Sequence, residues 1–161
     1  MEFLKRVFEK GRPWEAEARS FHGAVTREME RSRRYRHPLT MVTVDIDGLE
    51  AFNRRFGREA GDALLGAVSL ALRERTRSSD LSARVGEDEF AVLLPETGLA
   101  EAKEALAKIR SGLGVAASGV GFSIGARSFV QTPRTVEAML QEAGAHLVAA
   151  KKAGKGRTEH A

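Results

Sequence analysis

Apolar positions along this chain follow two rhythms, and each change of rhythm marks a new element. From Glu15 to Arg36 they recur at helical spacing, with Phe21, Val25 and Met29 on one face and Arg27, Arg31, Arg33, Arg34 and Arg36 around the rest. His37-Pro38 then stops the helix, because proline has no N–H and clashes with the preceding turn. Leu39 to Asp45 is a β-branched run that reads as a strand. A short helix near Leu49 to Phe56, a C-capping Gly57 and a longer helix from about Ala60 to Thr76 come next. Leu81 to Val85 and Phe90 to Leu94 are the strands of a hairpin joined by the acidic turn Gly86-Glu87-Asp88-Glu89. A helix from Gly98 to Leu113, a strand from Val120 to Ala126 and a last helix from Thr135 to Ala153 complete the pattern. Only a few residues remain for a closing edge strand.

Strand, two helices, hairpin, helix, strand, helix is an order that suits an α/β sandwich of ferredoxin-like kind, a mixed sheet with helices packed on it. Ahead of it, Met1 to Lys10 carry Phe3, Leu4, Val7 and Phe8 at helical spacing among Lys5, Arg6 and Lys10, and Gly11-Arg12-Pro13 breaks that pattern. Residues 1–14 are therefore expected to form an amphipathic lead-in helix that docks on the domain or a partner, and residues 15–161 the domain itself.

Composition narrows the function classes. With 161 residues, 42% hydrophobic and 30% charged, one domain with a real core is expected. There is no cysteine, so disulfides and thiolate metal sites are excluded, and His22, His37, His146 and His160 are too scattered for a zinc motif. No apolar run approaches the ~18 residues of a membrane span and no signal-peptide pattern opens the chain, so a cytoplasmic protein without a transmembrane segment is expected. The net charge of +4 and pI near 9.8 favour anionic partners such as nucleotides. The 22 acids interspersed with the bases argue against nucleic acid.

Two acidic clusters sit where strands begin or end. Asp45-Ile46-Asp47 closes the first strand, and Glu87-Asp88-Glu89 occupies the hairpin turn. Carboxylates on adjacent strand ends can share a hard, oxygen-ligated cation such as Mg2+, which binds phosphate oxygens in phosphoryl transfer. Asp45 and Asp88 are the ligand candidates, with Glu89 in support and the carbonyl of Ile46 as a further oxygen. The competing reading is that these are polar residues in ordinary turns.

Taken in order, the motifs resemble the GGDEF domains of diguanylate cyclases from Phe21 to Arg157. Asp45-Ile46-Asp47 resembles the family's DxD strand end. Asn53, Phe56, Gly57, Gly61 and Asp62 match its "N...FGH..GD" segment, and Gly86-Glu87-Asp88-Glu89-Phe90 matches the signature turn. Ser123-Ile124-Gly125 and Ala150-Lys151-Lys152-Ala153-Gly154-Lys155 match its "SIG" and "AKxxGRN" stretches.

The resemblance implies a palm-type fold with a central, mostly antiparallel mixed sheet flanked by helices. It also implies a homodimeric reaction in which two GTP-loaded domains meet and form cyclic di-GMP with Mg2+. Asp45, Ile46 and Asp88 would hold metal, and Asp88 and Glu89 would be the catalytic acids of an active enzyme. Asn53 and Asp62 would read guanine, Gly86 would lie against the nucleotide, and Lys151 and Lys155 would meet the phosphates.

Four departures oppose turnover. Glu87 replaces the second glycine of the signature, and Glu50 stands where the family has a phosphate-contacting lysine. A unit charge at ~4 Å and an effective dielectric near 20 is worth up to ~4 kcal/mol, so both would repel a triphosphate. Trp14-Glu15-Ala16-Glu17-Ala18-Arg19 occupies the place of the entry motif "DxLTGLxNR", and Val148 and Gly156 replace the usual Tyr and Asn.

Arg77-Ser78-Ser79-Asp80, by contrast, matches the spacing of the family's RxxD inhibitory site. Arg77 can fork onto a phosphate or a guanine edge, Asp80 can accept from guanine N1 and N2, and Lys108 or Arg110 could add a cation. An Arg and an Asp three apart can equally cap a helix end. The expected function is a catalytically inactive, cyclic di-GMP-binding signalling receptor that acts on a downstream protein the sequence does not name. The alternatives are an active, product-inhibited diguanylate cyclase, a GTP-binding regulatory domain and a ligand-free scaffold.

Overall fold

The computed structural model describes residues 11–161; residues 1–10 of the expected lead-in lie outside the described residues. The elements are α1 (Glu15–Tyr35), β1 (Leu39–Ile46), α2 (Leu49–Phe56), α3 (Arg58–Glu74), β2 (Leu81–Arg84), β3 (Glu89–Pro95), α4 (Leu99–Ala116), β4 (Phe122–Phe129), α5 (Val136–Lys152) and β5 (Thr158–His160). The five strands form one sheet in the order β2-β3-β1-β4-β5. All neighbours are antiparallel except β4 and β5, which run parallel, so the sheet is mixed and mostly antiparallel as the motif order implied.

β1 lies at the centre and is buried at every position, which explains its nearly unbroken apolar run. Its side chains alternate between two cores. Val42, Val44 and Ile46 join residues of α3 and α4 such as Val68, Leu72, Leu106 and Ile109 on one face. Leu39 and Met41 join Phe21, Val25 and Met29 of α1 and Met139 and Leu140 of α5 on the other. Each such buried aliphatic side chain contributes roughly 1.5–3 kcal/mol. Trp14, expected at the end of the lead-in, is 2% exposed and belongs to this second core.

Period-two alternation also decides where the polar residues of β1 go. Thr43 and Asp45 share the α5 face with Met41, and Thr43 Oγ1 donates to the carbonyl of Gly125 at 3.3 Å. The helix comes very close here. A Cβ on Gly125 would stand 2.1 Å from the backbone nitrogen of Leu147, so glycine at this position of β4 is what lets α5 settle against the sheet. Because α5 is set down so closely, Lys151 in its last turn reaches the end of β1.

Candidate functional site

The signature turn is fixed by the residue before it. Val85 and Gly86 both donate from their backbone N–H groups to the carbonyl of Glu89, at 2.9 and 3.2 Å, closing the turn on itself. Arg84 then clamps its outer side, with Nε on the carbonyl of Gly86 at 2.9 Å and Nη2 on that of Glu87 at 2.7 Å. The N–H of Arg84 donates in turn to Glu17 of α1 at 3.0 Å. Burial pulls the Arg84 guanidinium below its ordinary pKa, against the pull of Asp62, Glu17, Glu87 and Asp88. Arg84 had no assigned part in the sequence reading, and its position just before the acidic turn was the available signal.

Asp45 faces Glu89 across one strand pair and Ser123 across the other. It is 4% exposed, and Lys151 Nζ donates to its Oδ2. Oδ1 is buried and has no hydrogen-bond partner among the described residues. Burial is the main reason its pKa rises to about 6; Lys151 opposes that rise and the Asp88 carboxylate adds to it. Lys151 is pulled down by its own burial, but Asp45, Asp88 and Glu89 together hold it above its ordinary value.

The donors fit a hard cation. An anionic oxygen without a hydrogen bond, a second carboxylate close enough to raise its pKa and the adjacent Ile46 backbone are the ligand types Mg2+ takes, with water and phosphate completing the shell. No group of three or more His, Cys, Asp or Glu residues is arranged to hold a metal among the described residues. Asp47 takes a different part from Asp45. It accepts from Ser123 Oγ at 2.8 Å and from the N–H of Gly156 at 2.9 Å, which ties β1 to β4 and to the C-terminal loop.

Beside the signature turn lies an open cavity of about 700 Å³, lined by Asn53, Asp62, Glu50, Glu87 and the four arginines Arg12, Arg54, Arg58 and Arg84 among others. Gly57, at φ 90°, turns the chain from α2 directly into α3 and so brings Asn53 and Asp62 to one place. Asn53 packs where a Cβ on Gly61 would be, 1.7 Å from its Oδ1, and that buried oxygen has no hydrogen-bond partner among the described residues. The two acids that disfavoured a triphosphate are both paired: Glu50 accepts from Arg54 at 2.9 Å, and Glu87 is ion-paired with Arg12. Lys151 and Lys155 are not in the lining of this cavity; Lys151 is on Asp45, and Lys155 is exposed in the loop after α5.

A second cavity, of about 510 Å³, opens between the end of α3 and the face of α4, lined by Arg77, Asp80, Thr97, Glu101, Glu104 and Lys108 among others. Asp80 accepts from the backbone N–H of Arg77 at 2.7 Å and from its Nη2 at 2.9 Å, and its side chain is only 3% exposed. Nη2 also donates to the carbonyl of Pro95 at 2.9 Å and to Thr97 Oγ1 at 2.8 Å. The Arg77 side chain nevertheless stays 57% exposed, and none of these bonds uses Nη1. Lys108 shares the cavity and pairs with Glu104 at 3.5 Å.

Arg110 does not come to this surface. It donates to Thr158 Oγ1 at 2.8 Å, to the carbonyl of Phe122 at 3.2 Å and to that of Gly156 at 3.3 Å, fastening β5 to α4. Burial lowers its pKa, with Asp47 opposing. The expectation that Arg110 could supply a cation beside Arg77 is thus replaced by a structural part at the sheet edge.

The family model described as diguanylate cyclase, GGDEF domain, matches residues 17–157. Diguanylate cyclase DgcP of Pseudomonas aeruginosa is 34% identical over 141 residues, which cover 82% of this chain and 21% of that protein. Diguanylate cyclase DosC of Escherichia coli K12 is 34% identical over 141 residues, covering 83% of this chain and 30% of that protein. The chain spans about a fifth to two fifths of the length of the curated relatives it matches. Among solved structures, diguanylate cyclase SiaD of P. aeruginosa, in complex with its activator SiaC, superposes with a TM-score of 0.84 at 26% identity, covering 98% of this chain and 64% of that one. The GGDEF domain of TpbB from the same organism gives a TM-score of 0.79 at 30% identity, covering 88% of this chain and 87% of that one. No helix of the described residues is long and apolar enough to cross a membrane.

Proposed function

This chain belongs to the GGDEF family of diguanylate cyclase domains, and from that premise we propose that it is a cyclic di-GMP-binding signalling module without cyclase turnover. One observation carries the reading: Arg77 and Asp80, matched by spacing, line one open cavity with Lys108 of the next helix, and the Arg77 side chain is 57% exposed there. Asp80 is the positioning residue. With both oxygens engaged by Arg77, it holds the guanidinium in one orientation and leaves Nη1 to donate to a phosphate or to a guanine acceptor, O6 or N7. Lys108 adds charge from α4. The ligand is doubly anionic and carries two guanines, and an oriented guanidinium beside an ammonium suits both parts.

Absence of turnover is supported at the other site. Asp45, the expected metal ligand, has one oxygen occupied by Lys151, and burial already raises the cost of ionising it. Asp45, Asp88 and the carbonyl of Ile46 would hold Mg2+, which when bound neutralises charge on phosphate oxygens. Ligation through Oδ1 would leave Lys151 on Oδ2, and only meeting the phosphates would require Lys151 to leave that pair. Calorimetry with cyclic di-GMP tests the main reading, paired with chromatography of GTP and Mg2+ incubated at high protein concentration. Micromolar or tighter binding without product is expected, and accumulating cyclic di-GMP would falsify the claim of no turnover.

A second reading rests on the pairing of Glu50 with Arg54 and of Glu87 with Arg12. With its acids paired, the cavity beside the signature turn presents four arginines against Glu50, Glu87 and Asp62, a balance that admits GTP as a bound but unconverted ligand. Asn53 and Asp62 would read its base. Calorimetry with GTP against Asn53→Ala checks this, since the variant should bind at least about 10-fold more weakly.

A further inference from the structure

Of the four arginines lining the cavity beside the signature turn, three are committed to protein partners. Arg12 pairs with Glu87, Arg54 with Glu50, and Arg84 holds the carbonyls of Gly86 and Glu87. Arg58 is different: among the described residues it makes no hydrogen bond and no ion pair, although Asp62 lies one turn further along α3. Asp62 lines the same cavity, is exposed, and likewise accepts no hydrogen bond among the described residues. Asn53 is fixed beside them because its amide packs where Gly61 has no Cβ. Arg58 and Asp62 together leave one donor group and one acceptor group for a ligand to satisfy.

We propose that Arg58 is a specificity-determining residue that forks onto O6 and N7 of a guanine whose Watson–Crick edge is read by Asn53 and Asp62. The inference rests on the second reading above, in which this cavity takes GTP. The spacing suits it. Arg58 and Asp62 are four residues apart on α3, neighbours on one helix face at a pitch of about 5.4 Å, which is comparable to the span of a purine from its N1/N2 edge to N7. An Asp at one end accepts from N1–H and N2–H, and a guanidinium at the other donates to O6 and N7, the bidentate pairing arginine makes with guanine. Adenine would present an amino donor at position 6 to Arg58, and an unprotonated N1 to Asp62. Both contacts would be repulsive, so the pair selects guanine by its two edges at once. The remaining arginines, already bound to Glu50, Glu87 and the turn, shape the cavity rather than read the base.

The test is a cycle between a residue and an atom, run by calorimetry on the full chain in Mg2+ with GTP and with 7-deaza-GTP, which lacks only the N7 acceptor. The wild-type chain should bind 7-deaza-GTP on the order of 10-fold more weakly than GTP, and Arg58→Ala should bind both with the same, weakened affinity. Arg58→Lys should restore charge without restoring the discrimination, because an ammonium cannot make the planar fork. If Arg58→Ala loses affinity equally for both ligands while the wild type fails to distinguish them, Arg58 touches phosphate and the proposal is overturned. Unchanged GTP affinity in Arg58→Ala, with Asn53→Ala still weakened, overturns it while leaving the GTP cavity intact. If neither ligand binds the wild-type chain, the GTP reading fails and takes this inference with it. Arg58 is exposed at the first turn of α3, so the melting temperature of each variant separates a binding effect from a folding one.

Discussion

The two cavities both use arginine, but they hold their charges in opposite ways. Beside the signature turn, Glu87 and Glu50 are 62% and 89% exposed in their side chains and meet arginines that are themselves well exposed. Such pairs are worth about 0–1 kcal/mol and can be exchanged for a ligand's phosphates at little loss. At the end of α3, Asp80 is buried and engaged on both oxygens, so Arg77 is aimed before any ligand arrives. The first cavity can be retuned by substitution, whereas the second is preorganised. Preorganised fork contacts carry more of a binding free energy than mobile surface pairs do.

Removing the aimed guanidinium should break the comparison most severely. Arg77→Ala deletes the fork and leaves a buried carboxylate without its partner, so cyclic di-GMP affinity should fall by at least about 100-fold while GTP affinity stays within twofold. Calorimetry with both ligands on one preparation measures this. A variant that keeps its cyclic di-GMP affinity would remove the basis for the receptor reading.

The exchangeable pairs of the first cavity should respond by about one order of magnitude, and in both directions. Arg12→Ala unmasks Glu87 and should weaken GTP binding by roughly 10-fold, Glu87→Gly should strengthen it by a similar factor, and the double variant should fall near the wild type. If Glu87→Gly leaves GTP affinity unchanged, Glu87 is silent toward phosphate. Cyclic di-GMP affinity should be unmoved throughout, which isolates the two cavities from each other.

How far each cavity was legible follows from the distances in sequence between its parts. The strands and helices could be read because one periodicity governs each run, and even the polar exceptions of β1, Thr43 and Asp45, follow from alternation. Arg77 and Asp80 are three residues apart, close enough for spacing alone to pair them. Glu50 and Arg54 are four apart on α2, a pairing that helical spacing offers and that tempers the charge Glu50 brings to the cavity. Glu87 and Arg12 are 75 residues apart, and only the folded chain brings them together. Lys108 and Arg110 illustrate a different error. Residues two apart on a helix do not share a face, so with Lys108 beside Glu101, Glu104 and Ala105 in the cavity, Arg110 turns toward Phe122 and Thr158.

That division of α4 gives a sharper control. Arg110→Ala removes three hydrogen bonds that fasten β5, so the melting temperature should fall by several degrees while cyclic di-GMP affinity changes less than about twofold. Lys108→Ala should do the reverse, weakening the ligand by a few-fold with no thermal effect. Equal ligand losses in the two variants would return Arg110 to the binding surface.

A last effect concerns pH at the end of β1, and it is read in stability rather than in affinity. Asp45 has its pKa raised from 3.8 to about 6, chiefly by burial, so the folded state holds a proton that the unfolded chain releases across that window. The stability this contributes is fully present below 3.8 and is lost as the pH rises through about 6, amounting at most to about 3 kcal/mol. Asp45→Asn has nothing to titrate there. Its melting temperature should therefore improve relative to the wild type by a few degrees between about pH 4.5 and 7.5, whatever the offset at the lower pH. Lys151→Met should have the opposite consequence, because without the ammonium the Asp45 carboxylate is harder still to ionise and the loss on raising the pH is larger. Parallel melting curves for wild type and Asp45→Asn across this range would mean that Asp45 titrates as an ordinary carboxylate. Burial would then be no obstacle to an anionic metal ligand, and the case against turnover would rest on Glu87, Glu50, the altered entry segment and Val148 and Gly156.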